Sequence, residues 1–127
     1  MQREMIFSSA APTPGGAYSQ AIKVGNTIYV SGQIPIDMTT GIMATEGVHK
    51  ETRIVLTNIL NILIAVGASF GNIVKFTIYL KEIGDIRFVD EVLRETFGNV
   101  PLPARVTIQV SALPKGARIE IDAIAVI

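Results

Sequence analysis

The sequence predicts an α+β domain in which two helices pack on one face of a mixed β-sheet. Two kinds of periodicity predict this class. Apolar residues recur at helical spacing in two segments, and they alternate with polar residues in three others. The 127 residues suit a single domain spanning residues 1–127, which is long enough to bury one core.

The N-terminal part predicts a hairpin. Gly25-Asn26-Thr27 separates two β-prone runs, Ala21–Val24 and Ile28–Ser31. The apolar patch Met5–Phe7 is a candidate for one more short strand. Two segments rich in Pro, Gly or Asp are predicted to be irregular: residues 10–17 and 32–41.

Two helices are predicted in the middle of the chain. The first covers Val48–Val66; residues 45–46 suit its start and Gly67 its end. The second is capped by Asp85 and ended by Gly98. Its expected apolar face consists of Ile86, Val89, Val92, Leu93 and Phe97.

Three segments with a period of two predict half-buried strands: Ile73–Leu80, Ala104–Val110 and Arg118–Val126. Their expected core-facing side chains include Val74, Phe76, Ile78 and Leu80 in the first, and Val106, Ile108 and Val110 in the second. Pro114-Lys115-Gly116 is predicted to be a turn. If it joins the last two strands as a hairpin, Glu120 comes to lie roughly opposite Thr107. The predicted element order is β-β-α-β-α-β-β.

The composition excludes several kinds of function. The net charge is zero, so no surplus of Lys and Arg favours nucleic acid as a partner. The absence of cysteine excludes thiol nucleophiles, disulfides and thiolate metal sites. A mean hydropathy of +0.44 is high for a small monomer, which suggests that another subunit covers part of the surface.

The sequence predicts a cytoplasmic protein with no membrane partner, and a mitochondrial location stays open. Residues 1–9 do not form a signal peptide. The apolar stretch Ile54–Val66 is interrupted by polar residues and is shorter than the roughly 20 residues of a membrane span.

No cofactor or metal is expected. The single histidine, His49, is expected to be a solvated surface residue, and no ligand set with metal spacing exists. Phosphate-binding glycine motifs are absent. An enzyme with this sequence would therefore depend on positioning and electrostatics.

Arg105 is the most informative candidate, because a strand guanidinium can bind a carboxylate with two parallel hydrogen bonds. Glu120 could orient or deprotonate a water molecule. The alternative for both is a cross-strand ion pair between Arg105 and Glu120 or Asp122, which would have a structural role only.

Two further segments could line a site. Tyr18 follows a Pro/Gly-rich stretch and can present its hydroxyl group to a ligand, although such a tyrosine more often packs its ring. Ser31-Gly32 ends a strand, and loops that follow strands often line sites.

Together these segments resemble the RidA/YjgF family over essentially the whole chain. The resemblance rests on Gly16-Ala17-Tyr18-Ser19-Gln20-Ala21, Ser31-Gly32-Gln33-Ile34-Pro35, Pro103-Ala104-Arg105, Leu113-Pro114-Lys115-Gly116-Ala117 and Ile119–Ala125. It implies a chorismate-mutase-like fold and a homotrimer with a central barrel and clefts between subunits. It also implies cofactor-independent hydrolysis of enamines and imines, such as 2-aminoacrylate, to 2-keto acids and ammonia.

The resemblance also implies roles for single residues. Arg105 would bind the substrate carboxylate and Glu120 would hold the attacking water. Tyr18 and Ser31 would line the cleft, Gly32 would let the backbone approach the ligand, and Thr107 would contribute mainly its backbone groups.

Three residues depart from the family pattern: Ala17 replaces Pro, Leu102 replaces Phe and Asp90 replaces Asn. Asp90 would repel an anionic substrate if its side chain pointed into the site. The preferred alternative is that Asp90 is a carboxylate in the first turn of its helix, stabilised by the helix dipole.

Two other functions remain open on the sequence alone. One is a non-catalytic ligand-binding or regulatory module of the same fold, related to translation, RNA or chaperone activity. The other is a structural trimer without a ligand. The presence of Arg105 favours the enzyme over the first of these. A cleft lined by Tyr18, Arg105 and Glu120 would argue against the second, and an Arg105–Glu120 salt bridge without a cavity would support it.

Overall fold

The computed structural model describes residues 2–127, and its elements follow the predicted order. The long strands are β1 (Arg3–Ile6), β2 (Ala21–Val24), β3 (Thr27–Gln33), β6 (Ile73–Leu80), β7 (Ala104–Gln109) and β8 (Ile119–Val126). The helices are α1 (Val48–Ile64) and α2 (Ile86–Phe97). The candidate strand near Met5 is confirmed. The predicted loop over residues 32–41 is partly wrong, because it contains the end of β3 and the short strand β4 (Ile36–Asp37), which pairs with β5 (Ile42–Met43).

Six strands form one sheet in the order β1-β2-β3-β8-β6-β7. All neighbours are antiparallel except β6 and β7, which are parallel because α2 connects them. Both helices bury their apolar sides in one core with the same face of the sheet. The predicted mixed sheet with two helices on one face is therefore confirmed.

The helix ends are set mainly by glycine. Gly67 (φ 75°) and Gly98 (φ 54°) lie just past α1 and α2, as predicted, and both have positive φ angles that favour glycine. The N-terminal expectations were less accurate. Gly47 is the N-cap of α1, and its N–H donates to Oε2 of Glu51 at 3.1 Å. Asp85 is the N-cap of α2, but its side chain makes no capping hydrogen bond.

Strand β6 alternates as predicted, with one exception. Phe76, Ile78 and Leu80 are buried, whereas Val74 is 47% exposed. A bulge between Ile73 and Lys75 shifts the register of β6 against β8. Because one extra residue reverses the direction of the side chains, Ile73 takes the core position that was predicted for Val74.

Strand β7 faces opposite to the prediction. Val106 and Ile108 are 44% and 42% exposed, so they lie on the open face of the sheet and not in the core; Val110 is half-buried just past the strand. Arg105 pairs in register with Phe76 and therefore points to the helix side. The β7–β8 hairpin is also wrong, because β6 lies between these strands.

The face of the sheet opposite the helices carries a mixture of exposed apolar and polar side chains. Its exposed apolar members include Met5, Tyr29, Val106, Ile108 and Val126. No helix within residues 2–127 is long and apolar enough to cross a membrane.

Candidate active site

The first candidate region is the Arg105 cavity, a depression of about 230 Å³ between α2 and the start of β7. Its lining residues are Phe76, Asp90, Leu93, Arg94, Leu102, Pro103 and Arg105. Leu102, which departs from the family pattern, forms part of its apolar wall. The cavity therefore combines a guanidinium group with an apolar surface, as a site for a small organic anion requires.

Asp90 is the ionic partner of Arg105. Nη1 of Arg105 donates to Oδ1 of Asp90, and the two side chains are 28% and 26% exposed. The alternative prediction, an ion pair between Arg105 and Glu120 or Asp122 on a neighbouring strand, is therefore wrong. Asp90 also lies in the second turn of α2, which begins at Ile86, so the first-turn interpretation is wrong as well. Its side chain points at the candidate carboxylate-binding group.

The second candidate region is the Glu120 cleft, a depression of about 330 Å³ on the other side of the sheet. Tyr18, Ser31, Gly32, Ile34, Pro114 and Glu120 line it. The turn predicted at residues 114–116 is confirmed, and it forms one wall of this cleft. Four of the predicted site residues meet here.

Glu120 is a half-buried carboxylate that, within residues 2–127, accepts no hydrogen bond and forms no ion pair. Burial raises the pKa of Glu120, and the negative charge of Asp122 raises this pKa further. A carboxylate in such surroundings binds a proton more readily than an exposed one, which suits it to accept a proton from water.

Gly32 makes room for this carboxylate. A Cβ atom built on Gly32 would lie 2.9 Å from Cδ of Glu120 and closer still to Oε2. The prediction gave Gly32 a different role, the close approach of backbone to ligand. In the structure the close neighbour of Gly32 is Glu120 itself, so the absence of a Cβ at residue 32 leaves the space that the carboxylate occupies.

Asp122, the other carboxylate on β8, has a partner. The hydroxyl group of Tyr79 donates to Oδ2 of Asp122 at 2.8 Å, and this hydrogen bond raises the pKa of Tyr79. One carboxylate of the strand is therefore occupied within the chain, and the other is available.

Tyr18 and Ser31 are held by local hydrogen bonds. The Tyr18 ring is 53% exposed, and its hydroxyl oxygen accepts a hydrogen bond from the Gly15 N–H at 3.3 Å. The hydroxyl group of Ser31 donates to the carbonyl oxygen of Ser19 at 2.6 Å. Ser31 thus lines the cleft while fixing the loop that carries Tyr18.

Gln20 was not predicted as a site residue, although it fixes the loop before Tyr18. Its buried side chain accepts from the Ser8 N–H at 2.6 Å and donates to the carbonyl oxygens of Ser8 and Pro12 at 3.0 and 2.9 Å. The only signal in the sequence was its position in the Gly16–Ala21 motif, because a pattern of residue types does not reveal that a polar side chain is buried.

Two other predicted residues lie apart from these cavities. Thr107 is on β7, two residues after Arg105, and its Oγ1 is buried without a hydrogen-bond partner in the described part of the chain. His49 lies at the surface beside α2, where its side chain is 36% exposed and Nε2 is 3.5 Å from Oε2 of Glu91.

The candidate residues therefore form two half-sites that the single chain does not join. Arg105, next to Phe76 in register, points to the helix side at the edge of the sheet. Glu120 pairs with Tyr79 and lies on the open face, with β6 between it and β7. The expected ion pair between Arg105 and Glu120 is thus impossible within one chain.

Comparisons with known proteins identify the class. A sequence model of the family described as endoribonuclease L-PSP matches residues 8–127. The chain is 50% identical to a rat protein named 2-iminobutanoate/2-iminopropanoate deaminase, covering 98% of this chain and 90% of the relative. It is also 50% identical to a RutC family protein of Pyrococcus abyssi, with 98% of each chain covered.

A solved structure agrees with this assignment. The structure of Escherichia coli TdcF with bound serine superposes with a TM-score of 0.92 at 34% identity, and the match covers 98% of both chains. The chain therefore belongs to the RidA/YjgF family, as its motifs suggested, and it has the fold of that family.

Proposed function

We propose that this protein is an imine deaminase that hydrolyses short 2-imino acids, or their enamine tautomers such as 2-aminoacrylate, to 2-keto acids and ammonia. The observation that carries the proposal is the half-buried Glu120 carboxylate, which has no partner within the described chain and borders an open cleft beside Gly32. The deaminase name of a relative with 50% identity supports it.

The two half-sites suggest how the substrate is bound. We propose that Arg105 of one subunit and Glu120 of its neighbour face each other in a homotrimer. The exposed edge of β7 and the apolar side chains Val106 and Ile108 support an interface there, because an open strand edge is normally covered. The guanidinium group would bind the substrate carboxylate, while Tyr18 and Ser31 line the opposite wall.

Glu120 supplies the proton transfers in this mechanism. Its carboxylate takes a proton from water while the water oxygen attacks C2 of the protonated imine, which gives a carbinolamine. Glu120 then returns this proton to the amino nitrogen. The carbon–nitrogen bond breaks, ammonia leaves, and loss of the hydroxyl proton completes the keto acid. No step requires a cofactor.

The direct test uses imines generated in situ from several amino acids by an amino-acid oxidase. We expect the protein to accelerate the release of 2-keto acid and ammonia above the spontaneous rate. Arg105→Ala should lower turnover of dilute imine, measured as kcat/KM, by about two orders of magnitude, as expected for loss of a carboxylate contact of roughly 3 kcal/mol. Arg87→Ala, which removes an exposed guanidinium stacked on Phe88, is the matched control.

Mixing subunits tests whether two chains complete each site. At low imine concentration, Arg105→Ala and Glu120→Gln should each have little activity alone. Mixed trimers should regain about one quarter of the sites, because a site needs Arg105 from one subunit and Glu120 from the next. Light scattering should give the mass of a trimer. Folded trimers without activity on any imine would instead support the ligand-binding module.

A further inference from the structure

The Arg105 guanidinium is not free in the chain, because its Nη1 already donates a hydrogen bond to Asp90. The two groups form a hydrogen-bonded ion pair and both are about three quarters covered. A carboxylate that enters the Arg105 cavity meets a guanidinium with a carboxylate bound to it. The internal carboxylate and the incoming carboxylate are chemically alike, so they compete for the same donors.

The surroundings of the pair make such an exchange possible. The cavity is lined by two guanidinium groups, Arg94 and Arg105, and by one carboxylate, so one positive charge remains in excess. Arg94 follows Asp90 by four residues on α2, a spacing at which helical side chains are neighbours. When Asp90 leaves Arg105, the Arg94 guanidinium lies within reach, so the Asp90 carboxylate need not remain unpaired.

We propose that Asp90 is an internal counter-ion that competes with the substrate carboxylate for Arg105 and thereby weakens binding of carboxylates to this site. The inference rests on the proposed function of Arg105. Asp90 is a positioning residue in this role, because it acts on the substrate only through the guanidinium group. The site would then hold 2-imino acids loosely and release their 2-keto acid products readily.

The competition affects binding more than chemistry. The substrate carboxylate takes no part in breaking the carbon–nitrogen bond, so Arg105 holds it alike in the ground state and the transition state. An interaction of this kind changes KM and leaves kcat nearly constant. Because the pair is partly exposed, the expected change is modest, about three- to tenfold.

The test compares wild type, Asp90→Asn, Arg105→Ala and Glu91→Gln. Asparagine keeps the shape of Asp90 and removes its charge. Glu91→Gln makes the same charge change at the next residue of α2, in a side chain that is 57% exposed and contacts His49. Calorimetric titration with pyruvate, a simple 2-keto acid, measures carboxylate binding without catalysis.

We expect Asp90→Asn to lower the Kd for pyruvate and the KM for imines by about three- to tenfold with kcat nearly unchanged. Glu91→Gln should leave both constants at their wild-type values. Unchanged or weaker pyruvate binding in Asp90→Asn would overturn the proposal. If Arg105→Ala binds pyruvate as wild type does, the assignment of Arg105 fails instead. Asp90→Ser serves as a second variant if the asparagine protein does not fold.

Discussion

The two half-sites differ in how their central charges are balanced. In the Arg105 cavity, the guanidinium has an ionic partner on the adjacent helix, Asp90. In the Glu120 cleft, burial and the like charge of Asp122 both disfavour the ionised carboxylate. One half is electrostatically satisfied within the chain, and the other is not.

This difference indicates which half-site lowers the stability of the folded chain. An ion pair at a partly exposed position changes stability little in either direction. A half-buried carboxylate without a partner costs free energy that a neutral side chain of the same shape would avoid. A group retained at such a cost is a candidate for chemistry, so Glu120 is the more diagnostic of the two residues.

The largest expected effect comes from Glu120→Gln. We expect turnover to fall by about two orders of magnitude or more, because the proposed acceptor of the water proton is lost. The same variant should resist urea better than wild type at neutral pH. Burial raises the pKa of Glu120, so the folded protein loses stability as pH rises through that pKa, and glutamine escapes this loss.

This gain in stability should disappear at pH below about 4, where the glutamate is protonated in both the folded and unfolded states. Glu82→Gln, at an exposed position, is the control and should alter neither property. A Glu120→Gln protein that is less stable at neutral pH would mean that the carboxylate has a stabilising partner in the assembled protein.

A smaller loss of activity is expected for Gly32→Ala. The added methyl group would collide with the Glu120 carboxylate, so the carboxylate must move or β3 must shift. Displacing a catalytic group by about 1 Å can cost up to about 100-fold in rate. The free energy of unfolding should fall by no more than about 1 kcal/mol, the lower end of overpacking penalties, because the atoms that must move belong to the flexible Glu120 side chain.

Gly84→Ala is the matched control for that change, because a Cβ at Gly84 would meet no atom within 4 Å. Steady-state kinetics and urea unfolding of both variants measure the two effects. Wild-type turnover in Gly32→Ala would show that the exact position of the Glu120 carboxylate is unimportant, and the contrast between the half-sites would then lose its functional meaning.

The smallest effect is expected for Glu51→Gln. Glu51 lies outside both half-sites and is a buried carboxylate that, unlike Glu120, has partners within the chain. Burial raises the pKa of Glu51, although this carboxylate accepts the Gly47 N–H and lies 3.5 Å from Nη1 of Arg118. Its neutral form is therefore favoured by folding, and stability is lost as pH rises through its pKa.

We expect Glu51→Gln to raise the free energy of unfolding slightly at neutral pH, by a few tenths of a kcal/mol, with no change in turnover. Glutamine can still accept the Gly47 N–H, and Arg118 is half-exposed, so little is lost with the ion pair. Chemical denaturation at pH 7 and at pH 4 checks the expectation, and destabilisation at pH 7 would contradict it.

The sequence predicted the elements well because their periodicity is a local property. The spacing in α1 and the alternation in β8 reflect one buried face each. The orientation of β7 was wrong because an edge strand on an incompletely covered sheet exposes apolar residues, so its alternation does not identify the core side.

The sequence allowed the residues of the candidate site to be named, but it did not predict how they are arranged. Tyr18, Ser31, Gly32 and Glu120 do meet in one cleft. The partner of Arg105 could not be found from the sequence, since Asp90 lies on a different element, α2, and no local pattern reports a contact between elements. For the same reason the buried Gln20 network, which links residues far apart in the chain, was missed.

The edge position of β7 has a consequence for the newly made chain. Strand β7 pairs with β6 on one side, and its other edge presents unpaired backbone groups beside Val106 and Ile108. In the proposed homotrimer, a freshly synthesised subunit would expose a template on which a wrong strand could add before the neighbouring subunit covers this edge. Aggregation would then compete with assembly, and the yield of native protein would depend on how fast the edge is covered.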